Sequence, residues 1–254
     1  MESQFSRTEL LLGHDAINRL SSSRVAVFGI GGVGGYAVEA LARGGVGALD
    51  LIDDDTVSVS NINRQIIATW DTVGKYKVDA AKERALSINP NCRVTTYKTF
   101  YTPQTAEQFD FSQYDYIIDA IDTVTGKLAL VEQANRAGVP ILSSMGTGNK
   151  LDPTAFVVTD ISKTLMCPLA RIMRKELKKR GITKLKVVYS TEEAKEPVPE
   201  LEEALLKESR QENDPARGEF TRRQIPGSTS FVPSVAGLIA AGEVMKDLMG
   251  LNQA

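Results

Sequence analysis

The feature that most narrows what this chain can fold into is Val25-Ala26-Val27-Phe28-Gly29-Ile30-Gly31-Gly32-Val33-Gly34, an apolar run that breaks into glycines just before a helical pattern. Gly29, Gly31 and Gly34 stand at the G-x-G-x-x-G spacing, with Gly32 added between them. In a strand-turn-helix unit, such glycines bring backbone N–H groups close to a phosphate at the helix N-terminus, where the helix dipole favours an anion. A second apolar run, Ala48 to Ile52, ends at Asp53, a carboxylate placed to accept from ribose hydroxyls.

The residues that follow separate one nucleotide from another. Asn61, Arg64, Gln65 and Lys77 put two amides and two cations behind the second strand. A dinucleotide pyrophosphate carries about two negative charges, which a helix N-terminus can largely handle, whereas a triphosphate carries about four and recruits Arg, Lys and Mg2+. Hydride-transferring dehydrogenases commonly place an acid-base group beside the nicotinamide. The single histidine here, His14, precedes the first strand. The reading therefore favours ATP over NAD.

With 254 residues, 42% hydrophobic and 24% charged, the chain has the make-up of a soluble α/β protein of one large domain or one domain with an appendage. A net charge of -2 argues against a protein that coats nucleic acid nonspecifically, and leaves room for a local basic patch. The two cysteines, Cys92 and Cys167, form no Cys-x-x-Cys pair and read as reduced thiols of a cytoplasmic protein. The polar N-terminus lacks the apolar core of a signal peptide. Phe231 to Met245 is apolar, but Pro233, Ser234 and Glu243 interrupt it, so it reads as a buried C-terminal helix and not as a membrane anchor.

Strand-length apolar runs at 25 to 29, 48 to 52, 93 to 97, 116 to 121 and 139 to 144 alternate with helical patterns at 33 to 42, 75 to 88 and 128 to 137. That alternation predicts a doubly wound, mostly parallel, Rossmann-like α/β sheet. Its ligand edge should collect the glycine turn, Asp53 and the segment ending at Asp122. Beyond Pro153 the pattern becomes a C-terminal extension, residues 151-254, appended to an adenylation core of residues 1-150. Strands are expected at 155 to 159 and 185 to 189. The basic stretch 171 to 186, with eight Lys or Arg and one Glu, is a candidate RNA handle or a solvated helix face. Residues 192 to 219, with ten acidic side chains against four basic ones and several Pro and Gly, read as a flexible insertion.

Each candidate also has a plainer reading. The glycines can serve helix-strand packing alone, Asp53, Asp54 and Asp55 can cap a turn, and Asn61 can close an Asx turn. Arg64 and Lys77 can be solvated cations, and Asp122 can be a helix N-cap or a Mg2+ ligand.

In order along the chain, Arg7, Leu12-Gly13, the glycine turn, Leu51 to Val57, Ser60 to Gln65, Val73 to Lys77, Ile88-Asn89-Pro90 and Asp119 to Asp122 resemble the adenylating enzymes related to ubiquitin-activating enzymes. That group includes the bacterial activators of the sulfur carriers of molybdopterin and thiamin synthesis. The resemblance implies that Gly29, Gly31, Gly32, Gly34 and Asp55 line the nucleotide and that Asp53 holds the ribose. It further implies that Asn61, Arg64, Gln65 and Lys77 hold the phosphates, that Asp122 coordinates Mg2+, and that Arg7 reaches the triphosphate of a partner protomer, hence a homodimer.

The chain departs from the sulfur-carrier activators, which commonly carry two zinc-binding Cys-x-x-Cys pairs and a downstream transfer cysteine. Its second half instead resembles the tRNA threonylcarbamoyladenosine dehydratase branch, through Asp152-Pro153, Asp160 to Thr164, Pro168 to Arg171, Val187 to Glu192 and Gly227 to Pro233. The resemblance implies ATP-dependent cyclisation of the threonylcarbamoyl group of tRNA through an acyl adenylate, with Arg64, Lys77, Asp122 and Arg7 as the catalytic set. A K+ or Na+ site near 227 to 234 is a further expectation. The alternatives are an adenylyltransferase for a ubiquitin-like or sulfur-carrier protein working with a sulfur-transfer partner, and a nucleotide-sensing module with no activity.

Overall fold

The computed structural model describes residues 3–211 and 225–252. Seven strands form one sheet in the order β3-β2-β1-β4-β5-β7-β6. They are β1 Arg24–Phe28, β2 Ala48–Ile52, β3 Arg93–Tyr97, β4 Tyr116–Asp119, β5 Ile141–Ser144, β6 Phe156–Asp160 and β7 Lys186–Ser190. All neighbouring pairs are parallel except β6 and β7, so the expected mostly parallel sheet holds, with an antiparallel strand at one edge. The central strands β2 and β4 are buried along their whole length because both faces are covered, and apart from Asp50 and Asp119 they are apolar or aromatic.

One face carries Val25, Val27, Leu49, Leu51, Ile118 and Val188 against α2 (His14–Ser22), α3 (Gly34–Gly44), α4 (Lys77–Ile88) and α8 (Val232–Met249). The other face packs against α5 (Val124–Ala137) and α6 (Pro168–Lys179). Here the crossover from β3 to β4 holds only two short 3-10 turns and is anchored by aromatic rings. Phe28 meets Tyr101 edge-on at 5.0 Å and Phe109 at 5.5 Å. Such pairs add about 0.5–1.5 kcal/mol beyond the area they bury.

Helix α8 is buried as expected, and its small residues explain how closely it lies on α3. A Cβ on Gly237 would stand 2.2 Å from the Val33 carbonyl oxygen, and one on Gly44 2.2 Å from the Met245 sulfur. Among the described residues no helix is long and apolar enough to cross a membrane.

Two expectations change. The segment from 192 was read as a flexible insertion, yet Pro199–Gln211 is a helix, α7. Pro199 suits a first helical turn, Glu200 and Glu202 favour the positive end of the dipole, and Lys207 pairs with Glu203 four residues earlier at 2.8 Å. The remainder of that insertion, from 212, lies outside the described residues. Strand β4 also stops at Asp119, not at 121, which frees Ala120 to Asp122 as a loop on the ligand edge.

Candidate functional site

The strand order reverses between β1 and β4, which opens a crevice beyond their carboxyl ends. The glycine turn fills one side of it, and the four motif glycines do different work. Gly29 has φ +88, and a Cβ there would lie 2.7 Å from the Ala120 carbonyl oxygen, so glycine is required for the two loops to touch. A Cβ on Gly34 would stand 1.8 Å from the Gly29 oxygen, and one on Gly32 3.1 Å from Pro233 at the start of α8. Packing accounts for these three. Around Gly31 the nearest atom to such a Cβ is Gln65 Nε2 at 3.9 Å, which leaves room for a ligand.

Asp53 ties β2 to this turn. Its Oδ2 accepts from the Ile30 N–H at 2.7 Å and its Oδ1 from the Asp55 N–H at 2.9 Å. A carboxylate offers about four lone-pair sites, so acceptor capacity remains for a hydroxyl. Burial, with the Asp55 charge adding to it, pushes the Asp53 carboxyl above its ordinary range against the pull of Lys77. Lys77 opens α4, where the helix dipole disfavours a cation, and it is held there by Asp55 at 2.6 Å, with Asp53 at 3.9 Å. The Lys77 ammonium has three N–H donors, so donors beyond the one to Asp55 are available to a phosphate.

The segment after β2 brings the amides and Arg64 to the same place. Gln65 is buried, and its Oε1 has no partner within the described residues. Arg64 lies with its Cγ 3.6 Å from the Cβ position of Gly32, and its head donates to the Ser60 carbonyl at 2.9 Å and to Asn63 Oδ1 at 2.8 Å. Asn61 serves locally, its Oδ1 accepting from the Ser58 N–H at 3.2 Å to cap a 3-10 turn. Asp122 is exposed on the loop that Gly29 touches, and Thr123 occupies the N-cap of α5, so the N-cap reading of Asp122 falls.

Arg7 is the residue the fold does not bring in. It lies in α1 (Ser6–Leu12), beside Phe5, whose ring packs 3.3 Å from the Cβ position of Gly45, just past the end of α3 opposite the glycine turn. An eleven-residue helix separates those ends by about 16 Å.

Two contributors, Lys127 and Asn149, lie outside every motif. Lys127 in α5 is closed to solvent and donates to Asp119 Oδ1 at 3.0 Å and to the Ser144 carbonyl at 2.7 Å. Asp119 also accepts from Ser143 Oγ at 2.5 Å and from the Ile121 N–H at 3.2 Å, which fixes the loop carrying Asp122. Only the position of Lys127, within an otherwise apolar helical stripe, could have flagged it. On the β5 side, Asn149 adopts a left-handed backbone (φ +59) and pairs reciprocally with Gly227, donating its N–H to the Gly227 carbonyl at 2.8 Å and accepting the Gly227 N–H at 2.6 Å. Asn63 Nδ2 holds the next carbonyl, Ser228, at 3.1 Å. Residues 225 to 231 therefore bridge the nucleotide segment and the β5 exit.

The crevice offers N–H donors, cations and carboxylates around an open glycine, an arrangement suited to positioning phosphates. Cys167 is 6% exposed, and burial pushes the Cys92 thiol up to about 11.

Comparison with known proteins agrees over nearly the full length. The chain is 46% identical over 247 residues to the tRNA threonylcarbamoyladenosine dehydratase of Bacillus subtilis, covering 97% of this chain and 94% of that protein. It is 38% identical to the Escherichia coli protein of the same name, covering 97% and 93%. The crystal structure of the Escherichia coli enzyme TcdA in complex with ATP superposes with a TM-score of 0.83 at 35% identity, over 98% of this chain and 95% of that one. The ThiF family profile matches residues 5–254, and the chain belongs to the ThiF family of adenylating proteins.

Proposed function

We propose that this protein is an ATP-dependent tRNA threonylcarbamoyladenosine dehydratase, which activates the carboxylate of the threonylcarbamoyl group by adenylation and closes it into a ring. The observation that carries the reading is the open Gly31 position beside the buried Gln65 amide, whose Oε1 has no partner in the described residues, in a chain alike over nearly its whole length to enzymes of that name.

A carboxylate resists attack because hydroxide is a poor leaving group. One carboxylate oxygen attacks the α-phosphorus of ATP, the bond from that phosphorus to the bridging oxygen breaks, and pyrophosphate leaves. The ureido group then attacks the acyl carbon, its proton is lost, and AMP leaves. The nucleoside has lost one water, and no enzyme thioester is formed.

The chain contributes positioning and charge. The N–H groups at the glycine turn and the Gln65 amide orient phosphates, and Asp53 takes the ribose. Asn61 orders the segment from which Arg64 meets the triphosphate, together with the Lys77 donors that Asp55 does not use. Mg2+, which favours one or two carboxylates plus substrate phosphates, fits Asp122 and would supply charge neutralisation there. Asp53, Asp54 and Asp55 form a separate carboxylate group. A monovalent cation suits the turn at 227 to 234, where the Thr229 hydroxyl is buried without a partner in the described residues.

The same reading makes the protein a homodimer in which the partner subunit's Arg7 completes the site, since Arg7 lies at the far end of α3 within its own chain. Leu10 and Leu11 in α1, 89% and 81% exposed, offer an apolar face for that contact. Residues 1-150 act as the activation unit and 151-254 as the part that receives the acceptor, in the cytoplasm where tRNA and ATP meet. The second reading, activation of a sulfur carrier with a sulfur-transfer partner, finds less support because Cys167 is buried.

The test is incubation with ATP and tRNA bearing the linear nucleoside. Cyclic nucleoside, smaller by one water in mass spectrometry, should appear in step with AMP and pyrophosphate. AMP release dependent on a carrier protein and not on tRNA would move the assignment to the second reading.

A further inference from the structure

We propose that one face of α6, carrying Arg171, Lys175 and Lys178 and continued by Lys184, is the surface along which the phosphates of an RNA stem lie; this rests on the dehydratase reading. The eight cations of residues 171 to 186 divide evenly once their contacts are known. Arg174 turns inward to the Thr164 carbonyl at 2.9 Å and its hydroxyl at 2.7 Å. Lys179 pairs with Glu176 at 2.6 Å, Arg180 with Glu132 at 3.2 Å, and Lys186 with Asp247 at 2.6 Å.

Arg171, Lys175, Lys178 and Lys184 are exposed, and among the described residues none has a carboxylate within ion-pair distance. The first three stand at i, i+4 and i+7, opposite the buried Ala170, Met173 and Leu177, so they share one outward stripe. From Arg171 to Lys178 the helix rises about 10 Å, which spans about three phosphates at 3.4 Å per nucleotide of a strand. Lys184 lines a shallow depression together with Lys163 and Asp160, and the Asp160 carboxylate beside Lys163 makes this end less positive than the stripe of Arg171, Lys175 and Lys178.

The stripe also starts in the right place. Leu165, just before α6, donates its N–H to the hydroxyl of Tyr189 near the carboxyl end of β7 at 3.4 Å, and α6 ends at Lys179, from which the chain enters the amino end of β7 at Lys186, so α6 begins toward the ligand edge and runs away from it. A nucleotide delivered to that edge must leave its stack while its flanking backbone stays outside. The cations that remain unneutralised follow the path such a backbone would take. The whole chain carries only -2, so this attraction is local to α6.

The experiment compares the full-length protein with Arg171→Ala/Lys175→Ala/Lys178→Ala and with Lys179→Ala/Arg180→Ala, measuring Kd for tRNA across a salt series, Kd for ATP, and circular dichroism. The triple variant should bind tRNA about tenfold to a hundredfold more weakly, with the log Kd against log salt slope shallower by about two to three, and bind ATP as before. The paired-cation control should show a clearly smaller change. Wild-type tRNA affinity and slope in a folded triple variant would overturn the assignment while leaving the dehydratase reading intact. Unchanged tRNA binding with lost binding to phosphatidylserine vesicles would overturn it in favour of a lipid surface. Failure of the wild-type protein to bind tRNA at all would remove both readings together.

Discussion

Lys127 Nζ lies 3.0 Å from Asp119 Oδ1, and both side chains are closed to solvent, their relative exposures being 1% and 0%. Two charges taken out of water cost several kcal/mol each, and their attraction offsets this only when the remaining sites are filled. Here Ser143, the Ser144 carbonyl and the Ile121 N–H fill them. The pair clamps β4 to β5 and sets the loop that carries Asp122.

Lys127→Met should therefore destabilise the protein by about 3–5 kcal/mol, because it leaves a buried carboxylate without its cation. Lys127→Met/Asp119→Asn should recover a large part of that loss. Urea unfolding of the three proteins checks this, and equal stabilities of the single and double variants would contradict it.

The motif glycines should separate by substitution. Gly34→Ala puts a methyl 1.8 Å from the Gly29 oxygen and should prevent folding or lower stability severely. Gly31→Ala meets no protein atom nearer than 3.9 Å, so it should fold normally while weakening ATP binding tenfold or more, an order-of-magnitude expectation for a ligand approaching the backbone. Thermal unfolding and ATP titration calorimetry distinguish the two effects.

Arg7→Ala and Asp122→Asn should each abolish cyclisation as pure dimers. If the partner subunit's Arg7 completes each site, subunit exchange between the two variants should restore about a quarter of wild-type turnover, since half of the molecules then hold one intact site. Persistent inactivity after verified exchange would argue that Arg7 acts elsewhere.

Glu39 in α3 gives an acid-dependent handle. Burial raises its carboxyl, but hydrogen bonds from Arg84 and Arg43 outweigh it and hold the group below its ordinary 4.5. Its folded value being depressed, the stability it contributes is present above pH 4.5 and is lost as the pH falls through the folded value. Glu39→Gln should make the acid limb of the stability profile shallower and lower stability at neutral pH by about 1–3 kcal/mol. Denaturant unfolding from pH 3 to 7 reads both, and an unchanged acid limb would count against the ion pair.

The local grammar of the chain was enough to read its frame. An apolar run, glycines at fixed spacing and a helical pattern are contiguous, so Val25 to Gly34, the end of β2 at Asp53 and the alternation of strands and helices could be placed before any contact was known. The sequence determined that phosphate chemistry belongs on one edge of a parallel sheet. It misread Pro199–Gln211 because acidic composition hides a helix whose support is an i,i+4 pair and a favourable dipole. Tertiary structure alone decided that Gly29, Gly32 and Gly34 serve packing while Gly31 stays open, that Lys77 rests on Asp55, that Lys127 is a buried cation, and that three of the eight basic residues between 171 and 186 are ion-paired while Arg174 turns inward to Thr164. Burial and charge neutralisation arise between residues far apart in the chain, and so they follow from how its elements pack and not from their order.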